Sequence, residues 1–240
     1  DHQLRPEEVI KEKEFLKILS SRYNIPFIIR KINLKIKKGN IQNIARELRY
    51  KLLKNIAIEK GINKIALAHT FSDNAETVLM RILRGTGVKG LAGIPAINKI
   101  GKSTHIIRPL LKMYKEDLIM YLRKNKLSYC IDSSNLKTKY FRNKVRLKLM
   151  PYIIKNFSHN FVNNLNNLSE IMQKENEYLD HQIDTIYNEI VKKEKKKVLV
   201  DFTELMKYNI SLYRRVLIKL LKDNISLRKI DDIIELSKKK

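Results

Sequence analysis

The chain is short of cysteine, of glycine and of negative charge, and each shortage excludes something. Among 240 residues there is one cysteine, Cys130, so neither a disulfide framework nor a cysteine-based zinc site can be built from it. That composition suits a reducing, cytoplasmic setting. No stretch approaches the roughly 18 apolar residues of a membrane span, and no signal peptide is visible. Only seven glycines are present, and four of them, Gly85, Gly87, Gly90 and Gly93, crowd into one segment ending at Pro95. It reads as a flexible loop. Acidic residues number 25 against 50 lysines and arginines, a formal charge of +25. Such a charge attracts polyanions, nucleic acid above all.

An abundance of Lys, Ile and Asn, as an AT-rich genome produces, supplies part of that charge, so its distribution says more than its sum. Between Asp132 and Glu170 there is no acidic residue. The gap holds Lys137, Lys139, Arg142, Lys144, Arg146, Lys148 and Lys155, interleaved with Tyr140, Phe141 and Tyr152. Cations for phosphates and aromatics for base stacking are what an RNA surface needs.

At 43% hydrophobic, the chain can bury one large core or two modest ones. Apolar spacing predicts helices over 7–22, 41–60, 73–84, 114–126 and 140–150, the last stopped before Pro151. Residues 27–34 read as extended, 37–40 as a turn, 63–68 as a buried strand, 105–108 as a short strand and 128–132 as an edge segment. Strand and helix alternate here, which argues for a parallel α/β layer. Beyond residue 152 helical spacing dominates, over 160–191, 210–222 and 226–237. Lys192–Lys197 is a charged turn, and Val198–Phe202 reads as a small strand or a lead-in. The expected organisation is an α/β domain over 1–152 and a smaller all-helical domain over 153–240.

The run from Ile65 to Gly87 carries the chemistry. An apolar strand ends at His69, and a short turn opens a helix with Asp73 and Glu76 three residues apart, on one face. The carboxyl end of a strand facing a helix start is where α/β sheets bind ligands. Two carboxylates and an imidazole there suit Mg2+ or a nucleotide. Asp73 and Glu76 equally fit an N-cap and its acidic third residue, a capping box, and a lone His69 is more often structural.

Several further motifs stand in consecutive order: Asp1–Arg5, Ala45-Arg46-Glu47-Leu48-Arg49-Tyr50, His69 with Asp73-x-x-Glu76-Thr77, Leu83–Gly87 with Gly90–Pro95, Arg108-Pro-Leu-Leu111, Asp132–Asn135, Arg142-Asn143-x-x-Arg146 and Leu149-x-Pro151. Together they resemble the tRNA(Ile)-lysidine synthetase family of PP-loop (N-type) ATP pyrophosphatases. Thr70 and Ser72 stand where the family often repeats its histidine and aspartate. The family's Ser-Gly-Gly-x-Asp-Ser phosphate loop is expected upstream of Asp1. A chain that opens at Asp1 without methionine therefore reads as a fragment or processed form, inactive alone.

The resemblance implies a PP-loop fold (adenine nucleotide α-hydrolase-like), a parallel sheet with helices on both faces, and ATP and Mg2+ as cofactors. It implies a reaction in which ATP adenylates the C2 oxygen of the wobble cytidine of tRNA(Ile) with a CAU anticodon, and free L-lysine then displaces AMP. It implies catalytic roles for His69, Asp73, Glu76 and Arg84, with Asp73 and Glu76 holding the metal. Arg46, Arg49, Gly85 and Gly87 become nucleotide contacts, the two arginines being equally readable as surface residues. Arg108, Lys139, Arg142, Asn143 and Arg146 become RNA contacts, though Arg108 also fits a plain strand end. No membrane is involved, a homodimer is left open, and the region after 155 becomes a tRNA-positioning domain. Two other readings remain. A PP-loop tRNA thiolase would call for paired cysteines, against the single Cys130. A non-catalytic basic RNA binder explains the charge but not the ordered motif. Glu76→Ala separates enzyme from binder.

Overall fold

The computed structural model describes residues 6–32, 41–101, 103–130, 140–194, 197–221 and 226–238. They divide into two units. One comprises Asp1–Thr77 with Ile94–His159, the other Val78–Gly93 with Asn160–Lys240. The boundary that the sequence places near 152 falls within a helix running through Pro151 to Asn156, and residues 78–93 group with the later helices.

The first unit begins with α1 (Pro6–Tyr23) and α2 (Ile41–Glu59). Helix α2 ends in a Schellman motif, with Ile62 N–H donating to the Ala57 carbonyl and Gly61 N–H to that of Ile58. Gly61 sits at φ 64°, which is why a glycine stands there. Strand β1 (Lys64–Ala66) leads to α3 (Phe71–Ile82), followed later by β2 (Ile97–Lys99) and β3 (His105–Ile107). The sheet order is β1-β3-β2. Strands β1 and β3 are parallel, with Ile65 opposite Ile106. Strands β2 and β3 are antiparallel, with Asn98 opposite Ile106, because the short link through Thr104 leaves no room for a crossover. The expected parallel sheet is therefore a small mixed one. Ile106 is fully buried at its centre, and Ala57, Ala75, Ile94, Val145 and Met150 are buried in the same unit.

Helix α5 (Lys115–Lys124) follows, then α6 (Phe141–Lys144), a π-helical turn at Val145–Leu149 and α7 (Met150–Asn156). The expectation that Pro151 stops the helix is overturned. A proline lacks the N–H and crowds the carbonyl four residues back. The preceding turn widens so that Met150 N–H reaches the Val145 carbonyl, five residues back, and the helix runs on. Residues 25–32 and 128–130 form no strand, against the expectation for 27–34 and 128–132. Asp1–Arg5, the turn at 37–40 and Asp132–Lys139 lie outside the described residues.

In the second unit, helix α4 (Val88–Leu91) occupies the glycine segment, which the sequence reads as a flexible loop. A Cβ on Gly90 would lie 1.7 Å from Thr86 Oγ1 and 2.9 Å from its Cβ, so any larger residue there requires the Thr86 side chain to shift. The long helix α8 (Phe161–Ile190) is followed by a hairpin of β4 (Val191–Lys193) and β5 (Val198–Val200). Val198–Val200, within the segment the sequence offers as a small strand, pairs with Val191–Lys193 across the charged turn, in a region that is otherwise helical. Helices α9 (Phe202–Leu205), α10 (Ile210–Leu220) and α11 (Leu227–Lys238) complete the unit. Its core gathers Ile183, Ile186 and Ile190 of α8 with Leu205, Tyr213, Val216, Leu217, Ile230 and Ile234, at the three- and four-residue spacing of helix faces. No helix among the described residues is long and apolar enough to cross a membrane.

Candidate active site

Helix α3 begins one residue after Thr70, and that start sets the site. Thr70 is the N-cap: its hydroxyl accepts from Asp73 N–H at 3.4 Å, while Asp73 Oδ2 accepts the Thr70 N–H and hydroxyl, both at 2.9 Å. This reciprocal pair is a capping box, one turn earlier than the Asp73–Glu76 box the sequence leaves open. Asp73 thus combines a capping oxygen, Oδ2, with a second oxygen, Oδ1, turned to the site. Glu76 lies one turn further into α3 and is only 3% exposed.

Two arginines meet these carboxylates. Arg142 donates through Nε to Glu76 Oε2 at 2.8 Å and through Nη2 to Asp73 Oδ1 at 2.8 Å. Arg146 donates through Nε to Glu76 Oε1 at 2.6 Å, and through Nη2 to Asp73 Oδ1 at 2.9 Å and Glu76 Oε2 at 3.0 Å. Arg142 and Arg146 are four apart, on α6 and the π turn, so both forks point the same way. Burial opposes the charge on Asp73, but the Thr70 N–H, the Arg142 and Arg146 guanidiniums and the Thr70 hydroxyl outweigh it and hold its carboxyl below the ordinary value. Burial likewise opposes the charge on Arg146, and its bonds and ion pair with Glu76, aided by Asp73, overcome this and raise its pKa.

The donor set answers the metal expectation for Asp73 and Glu76. Each of their four oxygens accepts from Thr70 or a guanidinium, and the two positive charges already balance the two negative ones. Among the described residues no group of three or more His, Cys, Asp or Glu is placed to hold a metal. In this arrangement the pair does not fit Mg2+, which demands its own oxygen shell.

His69 lies beside the cluster. Its Nδ1 accepts from Arg108 Nε at 3.3 Å. Burial, and then the Arg108 charge, lower its pKa despite the opposing pull of Asp73, so it is neutral at neutral pH; Arg142 and Arg46 push the same way. Arg108 is buried, and Asn98 of β2, which the sequence does not signal, accepts from its Nη1 at 2.7 Å.

Asn143 is buried on α6. Arg46 and Arg49 are exposed on α2, with the Arg46 guanidinium 5.5 Å from the Tyr50 ring centroid. Arg84 and Gly85 are exposed in the turn after α3, and Gly87 caps α4, all three in the second unit. Lys139 lies outside the described residues. Sequence reasoning missed Thr70 as the cap, although Thr-x-x-Asp is its recognisable signature. It also missed Arg81, whose Nη1 donates to the Gly90 and Gly93 carbonyls at 2.8 and 2.7 Å.

Thr70→Ala is expected to cost about 1 kcal/mol, the usual value of a cap. It also weakens the acid dependence of stability. Because the folded pKa of Asp73 is depressed, its contribution is complete above the unfolded value near ~4 and is lost as pH falls through the folded one. Without Thr70 the depression is smaller and less is lost. Urea unfolding at pH 7 and at stepped pH below about 5 reads both; an unchanged acid slope would deny Thr70 this role.

Comparison with known proteins follows the same lines. The PP-loop domain model matches residues 1–153. The chain is 32% identical to the tRNA(Ile)-lysidine synthase of Caldanaerobacter subterraneus subsp. tengcongensis over 98% of its own length and 52% of the relative's. It is 33% identical to that of Clostridium perfringens, over 100% and 52%, and 40% identical to that of Borreliella afzelii, over 65% and 36%. The chain spans about half the length of the first two relatives. Among solved structures, the U34-tRNA thiolase NcsA of Methanococcus maripaludis with its [4Fe-4S] cluster is similar at a TM-score of 0.51 and 21% identity, over 65% of this chain and 55% of that one. That likeness concerns the fold alone. With a strand–helix site of this geometry and a family model covering well over half its length, the chain belongs to the PP-loop domain family.

Proposed function

We propose that this chain is the part of an ATP-dependent tRNA(Ile)-lysidine synthase that carries the acidic pair and a tRNA-contacting face. The observation that carries the reading is the meeting of His69, Asp73 and Glu76 with Arg142 and Arg146 in a chain similar to curated tRNA(Ile)-lysidine synthases along nearly its whole length. In the reaction, the C2 oxygen of the wobble cytidine attacks the α-phosphate of ATP and pyrophosphate leaves. The lysine ε-amine then adds at C2, AMP departs with the former C2 oxygen, and the amine proton is lost. Adenylation is needed because an amide-like oxygen is otherwise a poor leaving group.

Within this scheme Asp73 and Glu76 hold Arg142 and Arg146 through Nε and Nη2, and the remaining guanidinium N–H groups, fixed in direction, would serve as donors to phosphate oxygens. Asp73 and Glu76 leave no free oxygen for Mg2+, expected from the resemblance, and no step is assigned to it. A cytoplasmic location accords with a tRNA substrate.

RNA contact falls to other side chains than Arg142 and Arg146. Phe141 and Lys144 on α6, Lys148 in the π turn, Tyr152 and Lys155 on α7 and Phe157 at its C-cap are exposed, with the Tyr152 and Phe157 rings 5.9 Å apart. These cations and rings suit phosphate and base contacts. The region after residue 160 would position the tRNA.

Transfer of labelled lysine to tRNA(Ile) bearing CAU, with ATP and the whole protein that contains this chain, tests the activity. Incorporation is expected; none, with ATP and folded protein present, overturns it. Lys148→Ala should weaken tRNA binding and reduce the slope of log affinity against log salt by about 0.7–0.9. Glu76→Gln should abolish transfer and leave binding intact, whereas equal loss of both favours a plain RNA binder.

A further inference from the structure

Resting on the reading of His69 as part of the reacting site, we propose that Arg108 is a positioning residue that fixes the proton of His69 on Nε2. His69 is thereby a hydrogen-bond donor and not the base that receives the amine proton. Arg108 follows β3 directly, and its own N–H donates to the Ala96 carbonyl at 2.9 Å. The guanidinium is held at its far end, where Nη1 donates to the Pro95 carbonyl at 2.6 Å and to Asn98 Oδ1 at 2.7 Å. At 6% exposure it has little freedom to turn. Its Nε–H then faces His69 Nδ1 at 3.3 Å.

A guanidinium has only donors, so the nitrogen facing it must offer a lone pair. A neutral imidazole with its lone pair on Nδ1 carries its proton on Nε2. Protonating Nδ1 would set N–H against N–H and add a positive charge where Arg108, Arg142 and Arg46 already outnumber Asp73. The depressed pKa of His69 accords with this. An Nε2–H directed at an anionic oxygen stabilises charge without accepting a proton. The lysine amine must therefore lose its proton elsewhere.

Long-range proton–nitrogen correlation on the 15N-labelled chain reads the tautomer directly. The signals of His69, among five histidines, are identified by their loss in His69→Gln. At neutral pH, Nδ1 is expected to resonate as the unprotonated nitrogen and Nε2 as the protonated one, and Arg108→Gln is expected to give a mixture. A wild-type His69 protonated at Nδ1, or an even mixture, overturns the proposal, as does Arg108→Gln with the tautomer unchanged. Should Arg108→Gln fail to fold, the wild-type spectrum decides alone. The experiment uses neither ATP nor tRNA, so failed lysine transfer would sink the lysidine reading separately from the role of Arg108.

Discussion

Replacing Glu76 with alanine lowers the stability of its unit by about 3 kcal/mol, the low end of the ~3–5 kcal/mol range for breaking a buried ion pair. The cost comes from what stays behind. Both carboxylate oxygens of Glu76 accept from guanidiniums, so its loss strands two cations against Asp73 alone. The side chains of Arg142 and Arg146 are 28% and 27% exposed, and water reaching them holds the figure at the low end. Glu76→Gln, with one acceptor oxygen and an amide N–H2 turned towards a guanidinium, should fall between. Urea unfolding followed by circular dichroism measures both. A Glu76→Ala protein within about 1 kcal/mol of wild type would mean that the arginines find water and that the pairing holds little together. Loss of activity in Glu76→Ala must accordingly be judged against its folded fraction.

Arg81→Ala is expected to cost roughly 3 kcal/mol in the second unit. Hydrogen bonds from a charged donor are worth about 1.5–3 kcal/mol each, and Arg81 makes two, to the carbonyls of Gly90 and of buried Gly93. The same segment is held from α8, where Ser169 and Gln173 both donate to the Ala92 carbonyl, at 3.0 and 2.8 Å. Ser169→Ala should therefore cost only about 1 kcal/mol, since Gln173 still satisfies that oxygen. Hydrogen exchange of the amides of residues 85–93 reads the difference. Arg81→Ala should accelerate it strongly and Ser169→Ala slightly, and equal protection in both would remove Arg81 as the anchor.

The long helices were legible because their apolar spacing is sustained: α2, α8 and α10 lie within a few residues of where the pattern puts them. The three-residue strand β2 was not, since Ile97–Lys99 is too short to show alternation and its place comes from pairing with β3. His69, Asp73 and Glu76 were legible as a set, but what surrounds them was not. A basic helix reads as a polyanion surface, and nothing local reveals that Arg142 and Arg146 reach back some 70 positions in the chain to a pair of acids. Arg108 read as a strand end or an RNA contact for the same reason, its partner His69 being distant in sequence. The glycine segment read as pliable because its composition is, whereas its anchors, Arg81 and α8, lie outside it.

The widened turn before Pro151 sets the angular phase of α7. One extra residue in a helical turn displaces the following side chains by about 100° relative to an unbroken α-helix. Arg142 is placed before that offset, and Tyr152 and Lys155 after it. Excising one residue from Leu147–Leu149, beyond Arg146, would thus act like slipping a gear by one tooth. The arginine forks would stay engaged with the acids while the aromatic and lysine row beyond swung around the axis. The spacing between Arg142 and Tyr152 is in this sense a timing mark, since a one-residue change beyond Arg146 would turn one set of side chains and not the other.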